Sequence, residues 1–259
     1  MKIDYEPLTE IPGGMASREQ LQRMYTRYYF AAEYCHDKDI LEVACGSGQG
    51  LRYIAREART AVGGDYTLSL LRNARSHGRN TVPLLCLDAH VLPFRNSVFD
   101  VVILYEAIYY LKNPEYFLLE AKRILKEGGT VIICLPNKRL SDFHPSPHSI
   151  SYYTTLELKR LMEPTGFEFS FFGDSPLNHS SLRSRCLASI KKAAVRLNLM
   201  PRTLRGREFL KRLFFGRLIA IPNEIEESLC KYNAPIPLLS DAQESLYRVL
   251  FAVGKVNRK

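Results

Sequence analysis

The chain has 259 residues, 46% of them hydrophobic and 24% charged, with a formal net charge of +9. That is enough sequence for one large α/β domain with an elaboration, or for two small domains, around an ordinary packed core. No apolar run approaches the ~20 residues that span a bilayer, and the first residues lack a secretory pattern, so a soluble, cytoplasmic protein is expected.

The six cysteines, Cys35, Cys45, Cys86, Cys134, Cys186 and Cys230, are scattered, with no C-x-x-C pair and no histidine at ligand spacing. They read as reduced thiols, most of them buried, and no metal is expected. The positive charge is concentrated between Ser181 and Ala220, where eleven lysines and arginines face only Glu208, leaving the rest of the chain close to neutral. Such a run fits an anionic partner or a solvated basic helix pair.

In chain order, Arg18 to Tyr34 reads as a helix crowded with Tyr25, Tyr28, Tyr29 and Phe30, part of an N-terminal cover over residues 1–38. From 39 to 173, apolar β-rich runs alternate with helical patterns, the signature of βαβ units feeding a parallel sheet. The strands read as Ile40–Ala44, Thr60–Gly64, Val82–Leu87, Phe99–Leu104 and Thr130–Leu135, each expected to be buried on both faces. Asn113 and Pro114 open a helix that Gly128 and Gly129 are expected to stop, and a capping box from Thr154 to Glu157 opens another, ending near Pro164 and Gly166. Phe167–Phe172 reads as a sixth strand and Leu246–Val253 as the last, within a final segment 245–259. Residues 174–244 break the α/β rhythm and read as a basic helical insertion, an acceptor-side cap.

The sharpest motif runs Glu42-Val43-Ala44-Cys45-Gly46-Ser47-Gly48-Gln49-Gly50, a strand that ends in a glycine loop and enters a helix at about Gln49. Glycines there permit a tight turn and close approach of backbone to a ligand. A nicotinamide-dependent dehydrogenase also uses such a loop, but its G-x-G-x-x-G fingerprint requires glycine where Leu51 stands. Glu42 discriminates further, because a carboxylate inside a buried strand is costly unless it organises a polar site.

This stretch resembles motif I of the class I S-adenosylmethionine-dependent methyltransferases. Two further segments are similar to that family at the required spacing: Gly63-Gly64-Asp65-Tyr66, and Leu87-Asp88-Ala89-His90-Val91-Leu92-Pro93-Phe94. Phe99 to Ile108 resembles the fourth strand and the segment beyond it, and Arg123-Ile124-Leu125-Lys126-Glu127-Gly128-Gly129 resembles a common helix end of the family, with Glu127 where proline is usual. The resemblance covers about Arg27 to Phe172. It implies a Rossmann-like α/β fold: a mostly parallel seven-stranded sheet with helices on both faces and an inserted helical cap before the last strand. The implied cofactor is S-adenosyl-L-methionine. Its implied contacts are Glu42, Ala44, Gly46, Ser47 and Gly48 around the methionine part, Asp65 and Tyr66 at the ribose, Asp88 and Ala89 at the adenine, and Tyr105 beside the transferring methyl. Arg27 is placed either on the cofactor carboxylate, which suits guanidinium geometry, or on a solvated helix face.

Methyl transfer needs alignment more than a reactive side chain. For a hydroxyl acceptor, His144 and His148, on the loop after the fifth strand, are the candidate bases, the alternative being a surface turn. Tyr109 and Tyr110 are candidates for the acceptor wall. The expected acceptor is a small molecule, a glycan or a lipid-linked compound, anionic in character and methylated at oxygen, with peripheral membrane contact through 181–220. RNA is the rival acceptor, although no appended nucleic-acid module is present. A domain that binds the cofactor without turnover is the non-enzymatic alternative.

Overall fold

A computed structural model describes residues 4–76, 82–177, 218–226, 230–239 and 241–256. The basic run from 183 to 217, and with it the larger part of the helical cap expected over 174–244, lies outside the described residues. The elements are β1 (Met15–Ala16), α1 (Arg18–Ala32), β2 (Asp39–Val43), α2 (Leu51–Ala55), β3 (Thr60–Asp65), α3 (Leu68–Ser76), β4 (Leu84–Cys86) and β5 (Phe99–Tyr105). They continue with α4 (Pro114–Ile124), β6 (Leu125–Pro136), α5 (Thr155–Met162), β7 (Phe167–Pro176), β8 (Ile219–Ala220), β9 (Ile236–Pro237) and β10 (Tyr247–Val256).

One eight-stranded sheet has the order β4-β3-β2-β5-β6-β10-β7-β9. The first five of these strands run parallel, and β10 lies antiparallel between β6 and β7. The seven expected strands are therefore present in a Rossmann-like arrangement. The eighth, β9, is a two-residue edge strand that pairs with Phe172 and Gly173. It arises because the segment between β7 and β10 returns along the sheet edge. The described part of that segment contains no α-helix; it supplies β8, β9 and a 3₁₀ turn at Asp241–Leu246. β8 pairs antiparallel with β1, which ties the segment to the N-terminus.

Strand alternation sorts the core into two faces. Ile40, Val101, Ile103, Ile132, Cys134 and Phe251 pack with Phe30, Leu51 and Ile54. Leu41, Val102, Leu104, Val131, Ile133 and Leu250 pack with Phe117, Leu118, Ile124, Leu158 and Met162 of α4 and α5. Burial on both faces fails at β4, the sheet's edge, where Leu84 and Leu85 are half-buried and Cys86 is exposed, and at the start of β3, which β4 does not reach, where Thr60 is exposed and Ala61 and Val62 are half-buried.

α4 ends at Ile124, four residues before the expected glycine stop. Leu125 is already extended, and the register jumps from Phe99–Leu125 to Val101–Thr130. The chain bulges at 126–129, and Lys126 there meets Asp39 at 2.6 Å and Asp100 at 2.8 Å. The Thr154 capping box is present on α5, and Gly166 adopts the left-handed conformation that ends its last turn. α2 starts at Leu51, later than expected, because the loop uses Gln49 and Gly50.

Candidate cofactor and acceptor site

Parallel strands place their carboxyl ends on one side of the sheet, and a ligand crevice is expected there. Those ends open onto a cavity of about 800 Å³ lined by residues of the glycine loop, of α1 and of the loops after β3, β4, β5 and β6. That volume lies in the ordinary range for a small-molecule site.

The loop after β2 is held in a conformation that only its sequence permits. Gly46 and Gly48 have φ of +56° and +73°, and Ala44, which carries a side chain, has φ +59°. A methyl on Gly46 would also stand 3.0 Å from Thr9. Asp65, at the end of β3, clamps the loop: its buried carboxylate accepts the Gly46 N–H at 2.9 Å and the Thr67 N–H at 2.8 Å. Burial raises its pKa, against those backbone donors.

Beneath the loop, Glu42 is 1% exposed and accepts the Tyr28 hydroxyl at 2.7 Å. Burial pushes its pKa up to about 8, against the Tyr28 hydrogen bond and the charge of Arg27. The folded protein thus retains a proton at Glu42 that the unfolded chain loses near pH 4.5. Bound protons are then fewer in the unfolded state, so this group makes stability fall as pH rises through the interval between those values. Urea unfolding of wild type and Glu42→Gln between about pH 5 and about pH 8 should show wild type losing stability relative to the variant. Parallel pH profiles would contradict this protonation.

α1 brings a second cluster to the cavity. The Arg27 guanidinium contacts Glu10 at 2.7 Å and Glu106 at 3.2 Å, and Tyr109 donates to Glu106 at 2.9 Å. Burial lowers the Arg27 pKa, but Glu10 and Glu106 more than offset this and hold it charged. Burial raises the pKa of Glu106, whose backbone φ is +51° at the end of β5. Left-handed backbone at a side-chain-bearing residue is uncommon and gathers at binding sites. The N-terminal segment closes the cavity: Gln20 donates to the Glu10 carboxylate, Gln49 to the Glu10 carbonyl, and the Tyr5 ring packs on Tyr66 and Tyr110.

The structure therefore brings Ala44, Gly46, Asp65, Tyr66, Asp88, Ala89, Tyr105, Arg27 and His144 to one cavity. Glu42, Ser47 and Gly48 stand behind its wall and do not line it. Asp88 accepts the His90 N–H at 2.9 Å and lies 2.6 Å from the His90 ring nitrogen Nδ1, which puts His90 on the same loop. His144 lies exposed at the rim. His148 is exposed too, has φ +63° and does not line the cavity, because the Pro145–Pro147 turn carries it away. Tyr109 and Tyr110 both line the cavity.

Sequence reading missed Glu10, Gln49 and the role of Glu106. Glu106 carried a usable signal, a carboxylate where a buried strand ends, as at Asp65. Glu10 carried none, since its partners are Gln20, Arg27 and Gln49 on other elements.

The buried polar atoms without a hydrogen-bond partner include Glu42 Oε2, Ser47 Oγ, Arg27 Nε and Tyr105 Oη. Such atoms are costly unless a ligand or water completes them. Their distribution around a glycine loop, with carboxylates at the ends of β3 and β4, fits an adenosyl amino acid.

Residues 41–133 match the sequence model of a family described as "Methyltransferase domain". A probable S-adenosylmethionine-dependent methyltransferase of Mycolicibacterium smegmatis is 30% identical over 171 residues, 62% of this chain and 65% of that protein. A phthiotriol/phenolphthiotriol dimycocerosates methyltransferase of Mycobacterium ulcerans is 35% identical over 101 residues, 37% of this chain and 36% of that protein. The chain thus spans less than two thirds of the length of either relative. Among solved structures, a SAM-dependent methyltransferase of Archaeoglobus fulgidus aligns over 93% of this chain and 95% of its own, with TM-score 0.57 and 15% identity, a likeness of fold. Residues 41–133 thus match a methyltransferase domain, and the loop and the Asp65 clamp lie within that stretch.

Proposed function

We propose that this protein transfers a methyl group from S-adenosyl-L-methionine to an oxygen of a small-molecule, glycan or lipid-linked acceptor of anionic character. The observation that carries the methyl-transfer reading is the Asp65 clamp on Gly46 beside a cavity whose wall holds Arg27 and Tyr105. Asp65 and Tyr66 would hold the ribose, Asp88 and Ala89 the adenine, and Arg27 the carboxylate. Glu42 and the 44–48 backbone would support the methionine part from behind. The bound cofactor supplies an electrophilic methyl group, so the protein's main contribution is alignment in a site shielded from water. The N-terminal segment provides that shielding on one side through Tyr5, Thr9 and Glu10.

For a hydroxyl acceptor, His144 at the rim would take the proton, while His148 sits off the cavity. The small-molecule or lipid-linked class draws support from the Mycobacterium ulcerans relative, whose name gives a lipid acceptor, and the anionic character from the basic run between 181 and 220.

The test is methyl transfer from labelled S-adenosylmethionine to a panel of hydroxylated lipids, phosphorylated glycans, phenols and RNA, alongside S-adenosylhomocysteine titration. Saturable binding with label on a lipid, glycan or small-molecule oxygen is the expected result. Label on RNA alone, or binding with no transfer to any class, would overturn the acceptor or the enzymatic assignment.

A further inference from the structure

α1 turns two arginines, Arg23 and Arg27, toward the same cavity wall one helical turn apart. Their circumstances differ. Arg27 is neutralised by Glu10 and Glu106. Arg23 is half-buried and, among the described residues, has no hydrogen bond and no ion pair. Burial lowers its pKa and the charge of Arg27 lowers it further, opposed by Glu106, Glu10 and Glu19. A guanidinium has five N–H donors, and one on a cavity wall with no described partner is suited to take an oxyanion.

The side of the cavity on which Arg23 stands identifies that ligand's owner. The glycine loop, Asp65 and Asp88 follow β2, β3 and β4, on one half of the sheet. Asp174 on β7, at the other end of the strand order, feels the charge of both arginines, that of Arg23 more strongly than that of Arg27. The third arginine lining the cavity, Arg248 on β10, is already held by Asp142 at 3.0 Å. Arg27 stands between the two halves, so a cofactor carboxylate on Arg27 leaves Arg23 beyond it, on the acceptor side.

We infer that Arg23 is the seat for an oxyanion of the methyl acceptor, a carboxylate or a phosphate monoester held by the guanidinium fork, and that it selects anionic over neutral acceptors. This rests on the methyltransferase reading above. A planar fork matches both oxyanions, whereas an ammonium binds them as a point charge.

The experiment measures binding of phenyl phosphate and of benzoate by calorimetry, with and without saturating S-adenosylhomocysteine, to wild type, Arg23→Ala and Arg23→Lys. Wild type should bind at least one probe saturably. Arg23→Ala should weaken that probe about tenfold or more, Arg23→Lys should recover part of the loss, and S-adenosylhomocysteine affinity should stay unchanged. The probe that binds names the oxyanion, phosphate or carboxylate. Equal probe affinity in Arg23→Ala, or no saturable binding to wild type, overturns the inference. So does a fall in S-adenosylhomocysteine affinity in Arg23→Ala, which would assign Arg23 to the cofactor. Thermal unfolding of each variant identifies one that fails to fold, in which case Arg23→Lys decides by its probe affinity relative to wild type. If wild type bound no S-adenosylhomocysteine, the methyltransferase reading would fail by itself, and the probe titrations without it would still report on Arg23.

Discussion

Asp65→Ala is expected to weaken S-adenosylhomocysteine binding about 100-fold, close to 3 kcal/mol, and to destabilise the fold as well. Two effects combine. The carboxylate already satisfies the Gly46 and Thr67 N–H groups in a buried setting, and removing it leaves both without an acceptor. Each buried donor left unsatisfied costs about 1–3 kcal/mol. The glycine loop, whose left-handed residues are held in part by this clamp, then loses the shape that fits a ligand, and the proposed ribose contact disappears with it. Calorimetric titration together with urea unfolding checks both parts. Asp65→Asn separates them, because an amide oxygen can replace one backbone acceptor but gives a poorer partner for two hydroxyls. Unchanged affinity in Asp65→Ala would remove Asp65 from the site.

Arg27→Met should be the second large effect. Methionine keeps much of the volume but strands Glu10 and Glu106 without their shared cation. Removing one partner of a buried ion pair costs about 3–5 kcal/mol, and because both carboxylates keep some solvent access, a loss of about 2–3 kcal/mol is expected here. Adding Glu106→Gln should recover part of it, since the double variant no longer holds that charge against burial, and the coupling is read from a double-mutant cycle of unfolding free energies. The ligand readout is independent of stability. Arg27→Met should lower affinity for S-adenosylhomocysteine about tenfold or more while leaving 5′-methylthioadenosine, which has no carboxylate, nearly unaffected. Equal losses for both ligands would point to general disruption of the cavity and remove Arg27 from the carboxylate.

Glu42, Gly46, Asp65 and Asp88 were legible because each is fixed by its position along one strand or the turn that follows it. Buried strands demand apolar residues at every position, so a carboxylate at Glu42, or at the last residue of a strand as at Asp65, stands out against its own neighbours. The helix capping at Thr154 was legible for the same reason, since donor and acceptor lie three residues apart. Helix stops were less secure. Gly128 and Gly129 look like a terminus, yet the helix ends at Ile124 because pairing of Leu125 with Phe99 extends the chain earlier.

The βαβ core, the glycine loop and the carboxylates at the strand ends depend on local periodicity and on single turns, and so could be read directly from the residues. Packing set the rest: Glu10 and Glu106 share Arg27, Arg23 faces the cavity with no partner among the described residues, and His144 but not His148 reaches the rim. It also decided that β9 extends the sheet edge. Each of these joins elements far apart in the chain, and their encounter is set by how α1, the N-terminal segment and the segment before β10 pack onto the sheet, for which no short-range pattern exists.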